Sequence, residues 1–211
     1  MLRAATVALP LLLALPGATA RAECGCLWQG GFADVQGRAD AVVAATVAQR
    51  KGNSIDVEVA RKLRGEVFFD RLRVWLKTGD YCRPPAEDFP VGSRWVLALV
   101  RIDEVPEGGF DPTTPSVSYG RAGDYLLSSC GGYWLQWTGE AVTGNLIDAP
   151  RWAREPKMSP VLLDLLAAYV AGEVGRDALR EASREDPALR ELMLDTRQFL
   201  FHGEVPAESE D

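Results

Sequence analysis

The sequence predicts a mainly β fold with an α-helical extension at its C-terminal end, and three observations predict it. Over residues 40–147 apolar side chains either alternate with a period of two or run as short β-branched stretches. After Pro156 the period lengthens to about 3.6. Two cysteines with one residue between them, Cys24 and Cys26, follow directly on an apolar leader, and Cys82 and Cys130 lie far along the chain.

The leader comes first. Arg3 supplies a positive charge, residues 4–15 are almost wholly apolar, and Ala20-Arg21-Ala22 offers small residues where a signal peptidase examines them. Residues 1–22 are expected to be a signal peptide, leaving Glu23 first. Ala18-Thr19-Ala20 is a second acceptable site, and neither choice exposes Cys24 as the terminal residue. Glu23 is bulky and charged where a lipoprotein signal needs a small residue, which argues against lipid attachment at Cys24. No other apolar run approaches the roughly 18 to 20 residues of a bilayer span. The expectation is an exported protein, periplasmic or extracellular.

Residues 41–47 form an apolar, β-branched run, and Lys51-Gly52-Asn53 turns the chain into Ile55, Val57 and Val59, the signature of a half-buried strand. Leu63 and Gly65 close that strand, and Leu72, Val74 and Leu76 alternate again. Gly79 and Pro84-Pro85 break the pattern around Cys82. Residues 95–102 suit a strand buried on both faces. Residues 103–123, acidic and rich in Pro and Gly, predict a long surface loop. A fifth strand is expected over 125–130, and residues 134–137 with 140–146 predict a further hairpin around Thr138-Gly139.

In the extension, Ser159 fits a helix cap and Pro160 a first helical position. Leu162, Leu166, Tyr169 and Val170 then form an apolar stripe ended by Gly172. Asp186-Pro187 repeats the start signal, with Leu189, Leu192, Met193 and Phe199 toward a core. The domain expectation is a disulfide-stapled β domain over 23–150, a helical segment over 151–203 and an acidic, disordered tail over 204–211.

Of the 23 basic side chains, Arg3 and Arg21 fall in the leader, so 21 remain against 30 acidic ones, a net charge of −9 over the 189 residues left of 211. Such a balance repels phosphate backbones and anionic headgroups, which argues against nucleic acid as a partner. Two cysteines two residues apart in an extended segment project to the same side, about 6 to 7 Å apart, at or beyond the reach of a direct bridge. Cys24 and Cys26 should therefore each reach across to one of the two distant cysteines. In an oxidising compartment such thiols staple structure. A copper or zinc site would need them reduced and joined by further ligands, and the single histidine, His202, sits near the chain end. No metal and no cofactor are expected.

The residues Cys24-Gly25-Cys26, the run Ala39-Asp40-Ala41-Val42-Val43, Arg61-Lys62-Leu63-Arg64-Gly65, Phe89-Pro90-Val91-Gly92-Ser93-Arg94-Trp95 and Ser128-Ser129-Cys130 carry a family resemblance. In this order they resemble the TIMP-like and netrin modules over a little over half of the mature chain. The resemblance implies a five-stranded, OB-like closed barrel, here with an additional hairpin and the helical extension. It implies the pairing of Cys24 with Cys82 and of Cys26 with Cys130. TIMP inhibitors place the free amine and carbonyl of their first cysteine on a protease zinc. Glu23 before Cys24 turns that nitrogen into an amide without the lone pair a metal requires. What the resemblance still implies is a binding ridge over residues 25–32, including Gly25, Trp28, Gln29 and Phe32. Trp28 and Phe32 also suit plugs of the barrel mouth, and Trp134, Trp137 and Trp152 are expected to bury.

The sequence holds no Gly-x-Ser-x-Gly, no His-Glu-x-x-His and no phosphate-binding glycine loop, so no catalytic residue is assigned. The expected function is a binding or inhibitor-type module that recognises a protein or another envelope component. The alternatives are an envelope scaffold or assembly factor whose helical tail docks a partner, and a carboxylate-based hydrolase.

Overall fold

The hairpin between the first two strands turns on Gly52-Asn53. Gly52 has φ of 58°, and a positive φ at the first of two loop residues is what a type II′ hairpin turn requires. Around that turn β1 (Ala41–Lys51) pairs antiparallel with β2 (Ser54–Arg64), from Lys51 opposite Ser54 to Val42 opposite Arg64. The register shifts at three places, between Val42 and Val43, Ala44 and Ala45, and Val47 and Gln49. Such irregularities bend and twist a strand, and the bent β1 reaches a second partner on its other edge, β4 (Arg94–Arg101). The computed structural model describes residues 25–110, 113, 117–148 and 160–184.

Five strands close a barrel. β3 (Arg71–Trp75) lies antiparallel to β2. β5 (Tyr125–Leu126) joins β3 in parallel through Val74 opposite Tyr125, and joins β4 antiparallel through Val100 opposite Leu126. The ring β1-β2-β3-β5-β4-β1 is thereby complete, the strand order of an OB-type barrel. Val43, Ile55, Val57, Val74, Leu97 and Leu99 belong to one continuous buried cluster. Gly65 ends β2 where the chain passes over the start of β1. Its φ is 84° and an added Cβ would come within 2.0 Å of the Asp40 carbonyl oxygen, so a side chain does not fit there.

Three further strands extend the sheet outside the ring. β6 (Trp134–Thr138) pairs with the first half of β4, β7 (Ala141–Thr143) pairs with β6, and β8 (Val161–Leu162) pairs with β7. The first helix, α1 (Phe32–Val35), buries Phe32, Ala33 and Val35 in the core. The amides of Phe32 and Ala33 donate to the carbonyls of Asn145 and Leu146.

The C-terminal segment is fastened to the same core. α2 (Leu163–Ala171) buries Leu163, Leu166, Ala167 and Val170, a helical stripe, and lies against β2. It ends at Gly172 in a left-handed cap, with φ of 80°. α3 (Arg176–Ala182) buries Leu179 and carries Arg176, which pairs with both Asp34 and Asp148, while Arg180 pairs with Asp148. The Tyr169 hydroxyl donates to the Ala33 carbonyl at 3.1 Å.

The structure corrects the sequence reading in four places. Pro160 does not open a helix: Val161 and Leu162 extend the sheet, the amide of Leu163 donates to the Glu140 carbonyl, and α2 starts only there. Leu162, assigned to the apolar stripe, is 59% exposed. The pairing with β7 outcompetes the start signals because it supplies a ladder partner that local sequence does not reveal. The fifth strand stops at Leu126, since the amide of Ser129 and the carbonyl of Cys130 bond to Cys82 and Gln29 instead of to a neighbouring strand. Trp134 and Trp137 are half-buried, the latter with the Arg94 guanidinium 4.3 Å from its ring centre. α3 lies within the helical segment expected over 151–203, but at neither of its two start signals. The leader 1–22, Cys24, Trp152, the cap Ser159, the start signal at Asp186-Pro187 with the residues after it, His202 and the tail 204–211 lie outside the described residues.

Candidate functional site

Three surfaces could carry function. The first is the outer face of β2 and β3, which OB-type barrels use to bind oligonucleotides and oligosaccharides. Here Arg73 Nε and Nη2 donate to Asp56 Oδ1 and Oδ2 at 2.7 and 2.8 Å. Arg71 pairs with Glu58, Lys62 with Asp70, and Arg61 with Asp164 of α2. The cations of this face are matched by carboxylates, and none of these residues is an aromatic on which a base or sugar could stack. Phe68 and Phe69 stand exposed on the turn that leads into β3.

The Asp56 carboxyl lies below its ordinary value of 3.8 because Arg73 donates hydrogen bonds to it, and this outweighs the opposing effect of burial; the charge of Arg73 adds to it. A depressed folded-state pKa contributes stability that is complete above the unfolded value and is lost as pH falls through the folded one. Asp56→Asn is therefore expected to flatten the fall in stability as the pH drops below the ordinary carboxyl value of 3.8. Urea unfolding at a series of pH values measures it; an unchanged slope would mean that this pair does not couple protonation to folding.

The second surface is the edge held by sulfur. Cys26 and Cys130, 104 residues apart, are joined by a disulfide with Cα atoms 5.7 Å apart. Cys82 is disulfide-bonded as well, its partner being outside the described residues, so the pairing of Cys24 lies there too. The sulfur atoms of Cys26, Cys82 and Cys130 all lie within 4.8 Å of one another. Around them the amide of Gln29 donates to the Cys130 carbonyl at 2.7 Å, and that of Ser129 to the Cys82 carbonyl at 2.9 Å. The Tyr133 hydroxyl donates to Gln29 Oε1 at 2.7 Å. Three remote segments are thus tied into one edge.

Of the ridge residues, Gly25 and Gln29 face solvent, Trp28 is half-buried and Phe32 sits inside the core. They do not share one surface. The residue that dominates this edge is Leu27, 86% exposed and next in sequence to the bridged Cys26. The alternation of an extended segment, with Cys26 and Trp28 turned inward, is the signal that points to it.

The third surface is a cleft of about 300 Å³ beside that edge, lined chiefly by Lys77, Asp80, Tyr81, Arg83, Asp88 and Trp134. Arg83 follows Cys82 and is only 5% exposed. One of its Nη atoms donates to the Tyr119 carbonyl, and its guanidinium lies 4.2 Å from the ring centre of Tyr119 and 5.4 Å from that of Tyr81. Burial pushes its pKa down, while the two tyrosines oppose this. Partial burial, then the neighbouring Glu87, pushes the Asp88 carboxyl up. The far wall is Trp134, whose ring meets Phe89 edge-on at 5.9 Å. Sequence reading treated residues 79–85 as a break in the strand pattern and missed the cleft, although an aromatic, a cysteine and an arginine in succession mark a segment that is pinned and packed.

The three cysteine sulfurs are the one group of metal-ligating atom types found close together among the described residues. In disulfides they are not thiolates, the form that holds a metal. Among the described residues no helix is long and apolar enough to cross a membrane. Fold and site define a disulfide-bonded, mainly β protein: a closed five-stranded barrel with strands added outside the ring. Compared with protein-family models, with curated proteins and with solved structures, the chain matches none.

Proposed function

We propose that the protein is an exported, non-catalytic binding module of the TIMP-like kind, which recognises a protein or another envelope component through its sulfur-tethered edge. The observation that carries the reading is the convergence of three cysteine sulfurs within 4.8 Å, which holds residues 25–30, the Cys82 loop and residues 128–130 together. Leu27 and Tyr81, each next in sequence to one of those cysteines, are exposed there. An edge ordered before it meets a partner loses little conformational freedom on binding, which favours affinity from a small contact. The charge-matched face of β2 and β3 supports a protein partner over a polyanion, since its cations already have counter-ions. The scaffold alternative rested on a helical tail free to dock a partner; α2 instead spends its apolar stripe on the barrel core.

The test is a binding experiment with the disulfide-intact protein against an envelope extract and a panel of metalloproteases. A saturable partner at micromolar concentration is expected. Leu27→Asp should weaken it by about tenfold or more, the effect of losing one apolar anchor, with the melting temperature unchanged. Absence of any saturable partner, or binding indifferent to Leu27→Asp, would refute the reading.

A further inference from the structure

An arginine that is 5% exposed and makes no ion pair among the described residues is an unusual thing to keep beside an open cleft. Buried charges are ordinarily paired, because their removal from water is costly. The Arg83 guanidinium lies over the rings of Tyr119 and Tyr81 and gives a hydrogen bond to the Tyr119 carbonyl. A guanidinium carries five N–H donors in a planar fork, so this leaves donors over. Contact with two rings set edge to face confines that fork, and a confined planar fork suits two-point recognition of a carboxylate.

The remaining lining narrows the ligand. Asp80 and Asp88 face the same cleft and make no ion pair with Arg83. A doubly charged phosphate would meet two carboxylates there, on a chain already at net −7. A single carboxylate meets less repulsion. Trp134, Tyr81, Pro84 and Pro85 supply apolar wall on either side, which fits residues flanking that carboxylate in an extended peptide.

We infer that the cleft between the Cys82 loop and Trp134 is a recognition pocket for a carboxylate carried on an apolar peptide segment, with Arg83 as its anchor. The inference rests on the binding-module reading and names the chemistry of the partner. Lys77 at the rim attracts the approaching acid, and Asp80 holds the affinity down.

The probes are the blocked peptide acetyl-Leu-Glu-Leu-amide, its glutamine counterpart, and acetyl-Leu-Leu with a free terminal carboxylate, titrated into the disulfide-intact protein by calorimetry and tryptophan fluorescence. Binding of either carboxylate peptide, and its loss by about tenfold or more in the glutamine counterpart, supports the inference. The two carboxylate peptides separate a side-chain acid from a chain end. Arg83→Gln should abolish binding. Should that variant fail to fold, the rim variants decide: Asp80→Asn should tighten the acidic peptide by about two- to fivefold and Lys77→Glu should weaken it by a similar factor, as expected of exposed charges. Equal binding of the glutamine peptide, rim variants without effect, or displacement of the peptide by inorganic phosphate at equal concentration would overturn it. An envelope partner that depends on Leu27 yet is not displaced by the acidic peptide would sink the pocket and spare the binding module.

Discussion

Replacing Cys26 and Cys130 together by alanine is expected to destabilise the protein by about 4 kcal/mol and to lower its melting temperature by roughly 8 to 16 °C. The bridge joins residues 104 positions apart. Chain-entropy reasoning assigns a loop of about 100 residues close to 5 kcal/mol, and native bridges removed from real proteins cost about 2 to 5 kcal/mol. The second bridge, through Cys82, overlaps the same region, so part of the constraint survives and about 4 kcal/mol is the better expectation. The loss should also be local. Freed from Cys130, residues 25–30 still keep the amide of Gln29 on the Cys130 carbonyl, Gln29 Oε1 on the Tyr133 hydroxyl and the Gly30 carbonyl on the Gly132 amide, contacts that a strong covalent tie no longer backs. Thermal melting followed by circular dichroism gives the global effect, and hydrogen exchange at Gln29 and Ser129 gives the local one. A shift below about 3 °C would show that the barrel holds this edge without the bridge.

How much of this was legible beforehand depends on whether burial leaves a local trace. Ile55, Val57 and Val59 alternate because β2 turns one face to the core, and residues 95–102 read as a continuous apolar run because β4 is covered on both sides. Those strands, and the end of α2 at Gly172, could be read from residue pattern alone. Closure of the barrel could not, since it hangs on two residues of β5 set between β3 and β4. Nothing in Tyr125 and Leu126 announces that role. The start of α2 was misplaced for a related reason: Pro160 sends a genuine helix signal, but β7 offers Val161 a ladder that lies outside any local window. At the candidate site the cysteines mark the region, whereas its working residues depend on distant neighbours. Arg83 is set apart by being buried against Tyr119, 36 residues away, with no carboxylate paired to it among the described residues. Leu27 is set apart by what its neighbours Cys26 and Trp28 leave outside.

Asn53 is the strongest case of a residue whose importance the pattern hides, and its replacement is the second large effect. In sequence it completes a turn. In the fold it is 7% exposed and joins three separate stretches of chain. Its Nδ2 donates to the carbonyls of Leu76 at 3.0 Å and Ser118 at 2.8 Å, and its Oδ1 accepts from the Ser118 amide at 2.9 Å. Its own carbonyl accepts from the Leu76 amide. The amide side chain thus mimics a strand edge, pairing with Ser118 as a neighbouring residue in a sheet would. This is how Ser118, in a stretch that reads as a loose loop, comes to lie against the barrel. Asn53→Ala leaves two carbonyls and one amide without partners in a buried place, and at about 1 to 3 kcal/mol for each unsatisfied group, softened by entering water, a loss of about 3 kcal/mol is expected. Asn53→Asp keeps the shape and should do at least as much harm, because it sets a carboxylate against two carbonyl oxygens in place of two donors. The pair of variants separates packing from hydrogen bonding: shape alone would make the aspartate the milder change. Urea unfolding supplies the energies, and exchange of the Ser118 and Leu76 amides reports whether the 103–123 segment comes away first. If Asn53→Asp is as stable as the parent, the network does not hold that segment, and the long loop is anchored by something else.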